Sequence, residues 1–508
     1  MKKSILAAVF ACGLVAVVEA APSDVVTQAD LKALIQRINN LEAENKAQAK
    51  RIAELEGRAA VVAVAAQPAV AGSTNAPALS IQARAKEEGT EVSESGRIYT
   101  TANGHQYYLA DKMAGIFEPL SESGLKITPY GHIAFEAVHN TRSTEVDVYT
   151  DYVRPKHDSR RGHTSTLSVQ DSILGIMMEA PELYNGWKFR GKAEFDLAGG
   201  HANDYAFHWR HLYVEAEHEA SGWTFLGGQT WHVWKMIAPS EIDGAWLENT
   251  GYPYRRSPQF RATKVFNFDD DNSLELRAGI VKNGPGMGHD RDGDGNQDNS
   301  ASGWALLEGA ALFQRTAFWE DPDAANNRWM IGLAGMYGRD KSHRYWDDED
   351  GSRHFGKSDE YESKMVMMAG SLPLTTAIGK FTLCGQIFAG DNLGDIQAGV
   401  GQRVAFKDPM RKGREVGTIG GLVDLNYQVN ETWSFAAGYG VDDPTDSEAE
   451  HANGICNNDR LYADVFYRVN RNLHFGFEYA HLRTKYNLVD DPGTANDDRF
   501  QFTMYYDF

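Results

Sequence analysis

Cysteine is nearly absent. The 508 residues hold three, and because Cys12 lies in an apolar N-terminal stretch, only Cys384 and Cys456 stand beyond it, so disulfides are not the framework of the fold. No apolar run of eighteen residues follows that first stretch, which excludes a helical membrane protein. Positive charge is also short: 50 Lys and Arg face 70 Asp and Glu, a formal net charge of −20, and this argues against nucleic acid as the main partner. Gly-x-Ser-x-Gly, His-Glu-x-x-His and Cys-x-x-Cys are all missing. Hence no enzyme is expected, no catalytic residue is assigned and no cofactor is required. His208, His211 and His232 fit a solvated wall as well as chemistry. What is present, 49 glycines and 11% aromatics, belongs to a folded chain.

The N-terminus carries Lys2 and Lys3, an apolar stretch from Ile5 to Val18 and the small-residue pattern Val18-Glu19-Ala20, which reads as a secretory signal over 1–20. Over 21–57 a heptad follows, with Leu31, Ile38, Asn45 and Ile52 at a and Leu34, Leu41, Gln48 and Leu55 at d, ending at Gly57. Opposite charges at Arg37 and Glu42, and at Arg51 and Glu56, suit an interchain seam. The spacing predicts an α-helical coiled coil in the periplasm, with a lone amphipathic helix as the alternative. Residues 58–125 read as a linker, Ala- and Val-rich with Pro68 and Pro77. Within it, two short apolar segments flank Asn103-Gly104, a hairpin signal.

From 126 to 508 apolar and polar residues alternate over roughly ten residues at a time, with short turns and long polar connections in succession. The last segment is the clearest, since Phe500, Phe502, Met504, Tyr506 and Phe508 alternate with Arg499, Gln501, Thr503, Tyr505 and Asp507. Sixteen segments begin near Lys126, Thr166, Trp187, Ala206, Trp223, Gln259, Leu274, Gly303, Arg328, Tyr361, Lys380, Glu415, Trp433, Arg460, Leu473 and Asp498. The fold class predicted is all-β, a 16-stranded antiparallel transmembrane β-barrel behind an N-terminal coiled coil, with 14 or 18 strands and a soluble all-β domain as alternatives. Asp340 to Glu360 and Asp442 to Asp459 read as long acidic loops facing outward.

A barrel this wide holds a water channel by default, and lumen charges set its selectivity. By parity Arg190 and Lys192 point inward from the third segment, Arg277 from the seventh, and Arg261 joins them if Phe260 faces lipid. In Phe207 to Val214 the alternation breaks, so that either Arg210 or His211 points inward. The stretch Trp231 to Arg261 is long and proline-bearing. It either folds into the barrel, bringing Arg255 and Arg256 to the filter, or forms an external loop. Together these residues make a basic patch suited to small anions, or a lumen wall that pairs with Glu194, Asp196 and Glu275.

The runs Gly227-Gly-Gln-Thr-Trp, Ala238-Pro-Ser-Glu-Ile-Asp-Gly and Arg256-Ser-Pro-Gln-Phe-Arg-Ala-Thr, with Trp209-Arg-His-Leu-Tyr-Val-Glu and Pro129-Tyr-Gly-His-Ile, resemble the DcaP-like porins of Gram-negative outer membranes, which also place a coiled coil ahead of the barrel. The resemblance implies a homotrimer of sixteen-stranded barrels with an inward loop after the fifth strand, passing small anions such as dicarboxylates. Arg210 and Arg261 match its motifs. Here Trp231 is followed by His-Val-Trp-Lys, where that family leads one to expect small polar residues.

Asp290, Asp292, Asp294 and Asp298 occupy positions 1, 3, 5 and 9 of a calcium-loop pattern with Gly295 at 6, although Ala301 stands at position 12. They are candidate Ca2+ ligands in an external loop, or simply turn residues. Outer-membrane lipid is an expected partner and peptidoglycan a candidate one. Two other functions compete with an anion porin: a sugar porin, which would call for aromatics in line along the lumen, where Tyr462 and Phe466 alone do not make a track, and a structural anchor between membrane and cell wall.

Overall fold

The computed structural model describes the backbone of 97–100 and 106–109, and residues 125–508 apart from 145, 147, 150, 156–157, 159–161, 200–204, 245, 284–301, 317–327, 349–350, 409 and 488–491. The expected signal and coiled coil, and the calcium-loop residues Asp290, Asp292, Asp294 and Asp298, lie outside the described residues. The segments flanking Asn103-Gly104 pair antiparallel, from Arg97 with Leu109 to Thr100 with Gln106.

The period-two alternation becomes sixteen strands: β1 (Lys126–Asn140), β2 (Thr164–Ser168, then Ile173–Tyr184), β3 (Trp187–Asp196), β4 (His208–His218), β5 (Trp223–Trp231), β6 (Arg256–Asn267), β7 (Asn272–Val281), β8 (Leu306–Thr316), β9 (Arg328–Asp347), β10 (Arg353–Thr376), β11 (Gly379–Asp391), β12 (Gly417–Gln428), β13 (Trp433–Pro444), β14 (Ile455–Arg468), β15 (Leu473–Asn487) and β16 (Pro492–Asp507). Both pieces of β2 pair with β1, one with each half. Each strand is antiparallel to the next, and β16 pairs with β1 from Arg499 with Asn140 to Asp507 with His132. Closure leaves no free edge, the condition for a sheet to cross hydrocarbon. No helix among the described residues is long and apolar enough to cross a membrane.

Side chains sort by parity as expected. Phe500 and Phe502 are 40% exposed on the outer face, whereas Gln501 and Thr503 between them are at most 1% exposed. Toward the end with the short turns, aromatic rings stack in ladders, Trp187 with Phe225, Trp223 and Phe260, and Phe381 with Tyr427, Phe435 and Trp433, against which Tyr467 packs at a tilt. Such a girdle suits an interface between hydrocarbon and water.

One expected loop is largely strand instead. β9 and β10 pair as far as Asp347 with Arg353, so Asp340–Asp347 and Arg353–Glu360 are the two arms of a long hairpin. Its charges are cross-strand partners, Arg344 with Asp359 at 2.5 Å and Arg339 with Glu360 at 3.2 Å. A hairpin clear of the membrane can be polar on both faces, so it lacks the alternation by which strands were read. Asp442 to Asp459 holds the expected loop over 445–454, which carries α1 (Asp446–Ala449) between the end of β13 at Pro444 and the start of β14 at Ile455.

The buried core lies inside the barrel, where the connection 232–255 packs on the inner wall. Val233, Trp234, Leu247 and Tyr252 are all at most 1% exposed. Backbone contact there demands glycine on both sides. Gly251 has a φ of 102°, and a Cβ on it would stand 2.1 Å from the Gly421 carbonyl oxygen, while one on Gly440 would stand 1.9 Å from that of Thr250. Gly440→Val should therefore push the connection off the wall at a cost of about 1–3 kcal/mol. A lower urea midpoint and cleavage of the connection by added protease would show it, and an unchanged protein would remove close contact as its constraint.

Candidate functional site

The connection after β5 is anchored at its root, middle and tip. At the root, consecutive residues converge on Glu308 of β8: His232 Nδ1 lies 2.5 Å from Oε1, the Val233 amide donates to Oε2 at 2.8 Å, and Trp234 Nε1 donates to Oε1 at 3.2 Å. Ser257 Oγ lies 2.9 Å from His232 Nε2. The order Ser257, His232, Glu308 is that of a hydrolase relay, but Ser257 is only 2% exposed and Glu308 binds two further donors from the loop, so the group is read as an anchor. Trp234 then fills a pocket of Met336, Met365, Met367 and Phe388. In the middle, Ser240 donates to Asp424 through N and Oγ at 3.2 and 3.1 Å. At the tip, Glu241 and Asp243 each lie 2.8 Å from the buried Arg460, which also meets Glu478 at 2.6 Å. The chain returns through Trp246, Leu247 and Asn249, all at positive φ between 48° and 59°. Three such residues together store strain that the anchors hold.

This loop narrows a lumen cavity of about 1230 Å³, lined among others by Lys192, Arg210, Arg255 and Arg256 together with Asp171 and Glu241. The inward course of Trp231 to Arg261 thus brings Arg255 and Arg256 to the channel. The broken alternation around Arg210 is a β-bulge. Glu194 pairs with His211 and Phe195 with Trp209, so Arg210 is the extra residue, and both candidates point inward. Arg210 donates to Glu194 at 2.8 Å and Asp196 at 2.9 Å, and His211 Nδ1 lies 3.0 Å from Thr230 Oγ1. Lys192 pairs with Glu194 at 2.9 Å. These two cations are largely neutralised where they stand.

Buried donors without acceptors sit one step along the wall. The Trp231 indole carries Lys235 Nζ at 3.6 Å and the Arg256 guanidinium carbon at 4.4 Å from its ring centroid, with Tyr254 at 4.7 Å. Lys235 Nζ, Arg256 Nη1 and Trp231 Nε1 are buried and have no hydrogen-bond partner. Burial pushes the Lys235 ammonium well below its usual range, and Arg256, Arg210 and Lys192 push it the same way. Three buried donors thus stand without acceptors beside Arg210 and Lys192.

Arg190, Arg261 and Arg277 are not among the residues lining this cavity. Arg190 pairs with Glu215 at 3.4 Å and with Glu217. Arg277 pairs with Glu275 at 2.5 Å and donates to the Lys235 carbonyl at 3.0 Å, bracing the loop from below. Arg261 lies within electrostatic reach of Arg277, Tyr213 and Glu215 on the same wall. Sequence reasoning missed Lys235, whose position inside a loop has no parity, and the wall groups Arg460 and Glu478, whose inward parity was legible but whose partner was not. Among the described residues no three His, Cys, Asp or Glu side chains stand together in a way that could hold a metal ion.

No protein-family model matches the chain, and no curated protein matches it. Solved structures do. The outer membrane channel DcaP of Acinetobacter baumannii superposes with a TM-score of 0.56 at 16% identity, over 76% of this chain and 97% of that one. An anion-selective porin from Comamonas acidovorans gives 0.45 at 10% identity, over 76% and 100%. OmpT of Vibrio cholerae in its trimer form gives 0.46 at 12%, over 76% and 99%. The fold is the sixteen-stranded closed antiparallel barrel that DcaP has.

Proposed function

We propose that this protein is an outer-membrane porin through which small hydrophilic anions, dicarboxylates among them, diffuse passively. It works as a homotrimer, with the N-terminal segment in the periplasm. The observation that carries the reading is the Trp231 cluster, where Lys235 and Arg256 hold donors that nothing in the protein accepts. An anion crossing the lumen passes Trp231 and Arg256, which line the cavity at the narrowed level, with Lys235 packed against the Trp231 ring, and the paired Lys192 and Arg210 beside them keep a polar wall without adding net charge. The closed barrel, its outer apolar belt and the fold shared with an outer membrane channel support the membrane setting.

A sugar porin would use ring faces in line along the lumen. Tyr462 is 1% exposed beneath the loop and bonded to Asp424, so one of its two expected aromatics is withdrawn from any track. The test is single-channel current in a planar bilayer under a salt gradient, with succinate and a disaccharide added in turn. Three-step conductance, a reversal potential favouring anions and block by succinate are expected. Block by the sugar alone would replace the reading with the sugar porin, and a barrel without conductance would make it an anchor.

A further inference from the structure

The tip of the inward loop rests on an excess of buried acid. Glu241 and Asp243 from the loop meet Glu478 on β15, Asp464 on β14, Glu136 on β1 and Asp171 in the break of β2. Six carboxyl groups thus face two guanidinium groups, those of Arg460 and Arg499. Arg460 is shared by three of them, and Arg499 Nη2 lies 3.5 Å from Asp243. Arg499 also donates to the Val148 carbonyl at 2.5 Å and to Gln501 at 2.6 Å. Five of the six are buried and Asp171 is half-buried against the cavity, and such an imbalance is compensated by cations or by protons. A metal lacks its ligand geometry among the described residues.

Protons have places to go. Asp464 stands opposite Glu478 in register, within hydrogen-bond reach, yet as carboxylates the two only accept. Both Asp464 oxygens are buried without a donor, as is Glu136 Oε2, which faces Asp171 in the same way. One proton in each pair turns a repulsion into a hydrogen bond. Asp171 also accepts from Tyr149 at 2.5 Å, and Glu136 accepts from Gln501 at 3.0 Å. The other titratable groups facing the cluster are Asp424 with Tyr462 under Ser240, Tyr505, and His132, whose Nε2 lies 2.8 Å from the Asp171 carbonyl. Arg210, also within reach of Asp171, is committed to Glu194 and Asp196.

We infer that the loop is seated on the wall by protons shared in the Asp464–Glu478 and Glu136–Asp171 pairs, so that the seat holds at neutral and acid pH and loosens as the solution turns alkaline. The sign follows from linkage. A carboxyl that keeps its proton longer in the seated state than in the released one favours seating at low pH and loses that contribution as pH rises. Glu241 behaves accordingly: burial lifts its carboxyl well above the usual range, although Arg460 opposes this.

This inference concerns the loop of the proposed channel but is read by two signals, only one of which needs conduction. Full-length protein in bilayers should conduct more and fluctuate more as pH rises from 6 to 9, the fluctuation frequency rising by up to about tenfold per pH unit for each proton released. In detergent, emission from the loop tryptophans should shift to the red over the same range. Asp464→Asn supplies a donor to Glu478 without a proton and should flatten both profiles, and Glu136→Gln should do so for its pair if the first variant folds poorly. A fluorescence transition in a barrel that does not conduct would uphold the seat while ending the porin reading. Flat wild-type profiles, or wild-type profiles retained in both variants, would overturn it.

Discussion

Arg460→Ala should destabilise the folded barrel by about 3–5 kcal/mol near neutral pH, the cost of leaving buried charges without their partner, and should release the tip of the inward loop. Arg460 is fully buried and meets Glu241, Asp243 and Glu478 within 2.8 Å. Its removal leaves three carboxylates facing one another, with Arg499 at 3.5 Å from Asp243 as the nearest remaining cation. The lesion carries its own signature. Burial already lifts the Glu241 carboxyl well above its usual range, and without Arg460 the chief group opposing that is gone, so the variant should regain stability as pH falls. Urea titrations in lipid vesicles at pH 7.5 and pH 5 would measure this. Single channels should conduct more and fluctuate more, because the loop no longer narrows the lumen. A variant with wild-type stability and conductance at pH 7.5 would show that the loop is held elsewhere, at Glu308 and Asp424.

The loop was only half legible in the sequence, and the reasons are physical. Alternation identifies a strand because its two faces meet different solvents, so Phe500 to Phe508 and Leu473 to Tyr479 could be placed, faces included. A loop such as Trp231 to Arg256 follows no period. Whether it falls inward depends on contacts made two hundred residues away, such as Thr250 on Gly440 and Ser240 on Asp424. Lys235 escaped notice for the same reason. The break at Phe207 to Val214 showed in the pattern, yet only the pairing register reveals a bulge that turns both Arg210 and His211 inward. Polar hairpins fail in the opposite way. Arg339 to Glu360 is strand on both sides, but water bathes both faces and erases the alternation.

Arg256 offers the sharpest test of selectivity, because its charge is not cancelled in place as those of Lys192 and Arg210 are. A unit charge about 4 Å from a passing ion changes its energy by roughly 1 kcal/mol in water. That is about fivefold in local anion concentration, with the same factor in the opposite direction for cations. Arg256→Gln should therefore lower the anion-to-cation permeability ratio severalfold in a dilute salt gradient. At about 1 M salt, where the screening length is roughly 3 Å, the difference from wild type should nearly vanish. Trp231 acts through Arg256. Its ring lies 4.4 Å from the guanidinium carbon and 3.6 Å from Lys235 Nζ, so Trp231→Leu removes two cation–π contacts of about 0.5–2 kcal/mol each and leaves both charges mobile. Selectivity should then fall less than in Arg256→Gln, while block by succinate weakens because the donors no longer converge. Trp231→Phe, which keeps a ring face, should restore most of that block. If Arg256→Gln leaves the reversal potential unmoved at low salt, the filter lies elsewhere on the wall, and Arg261 with Arg277 becomes the pair to replace.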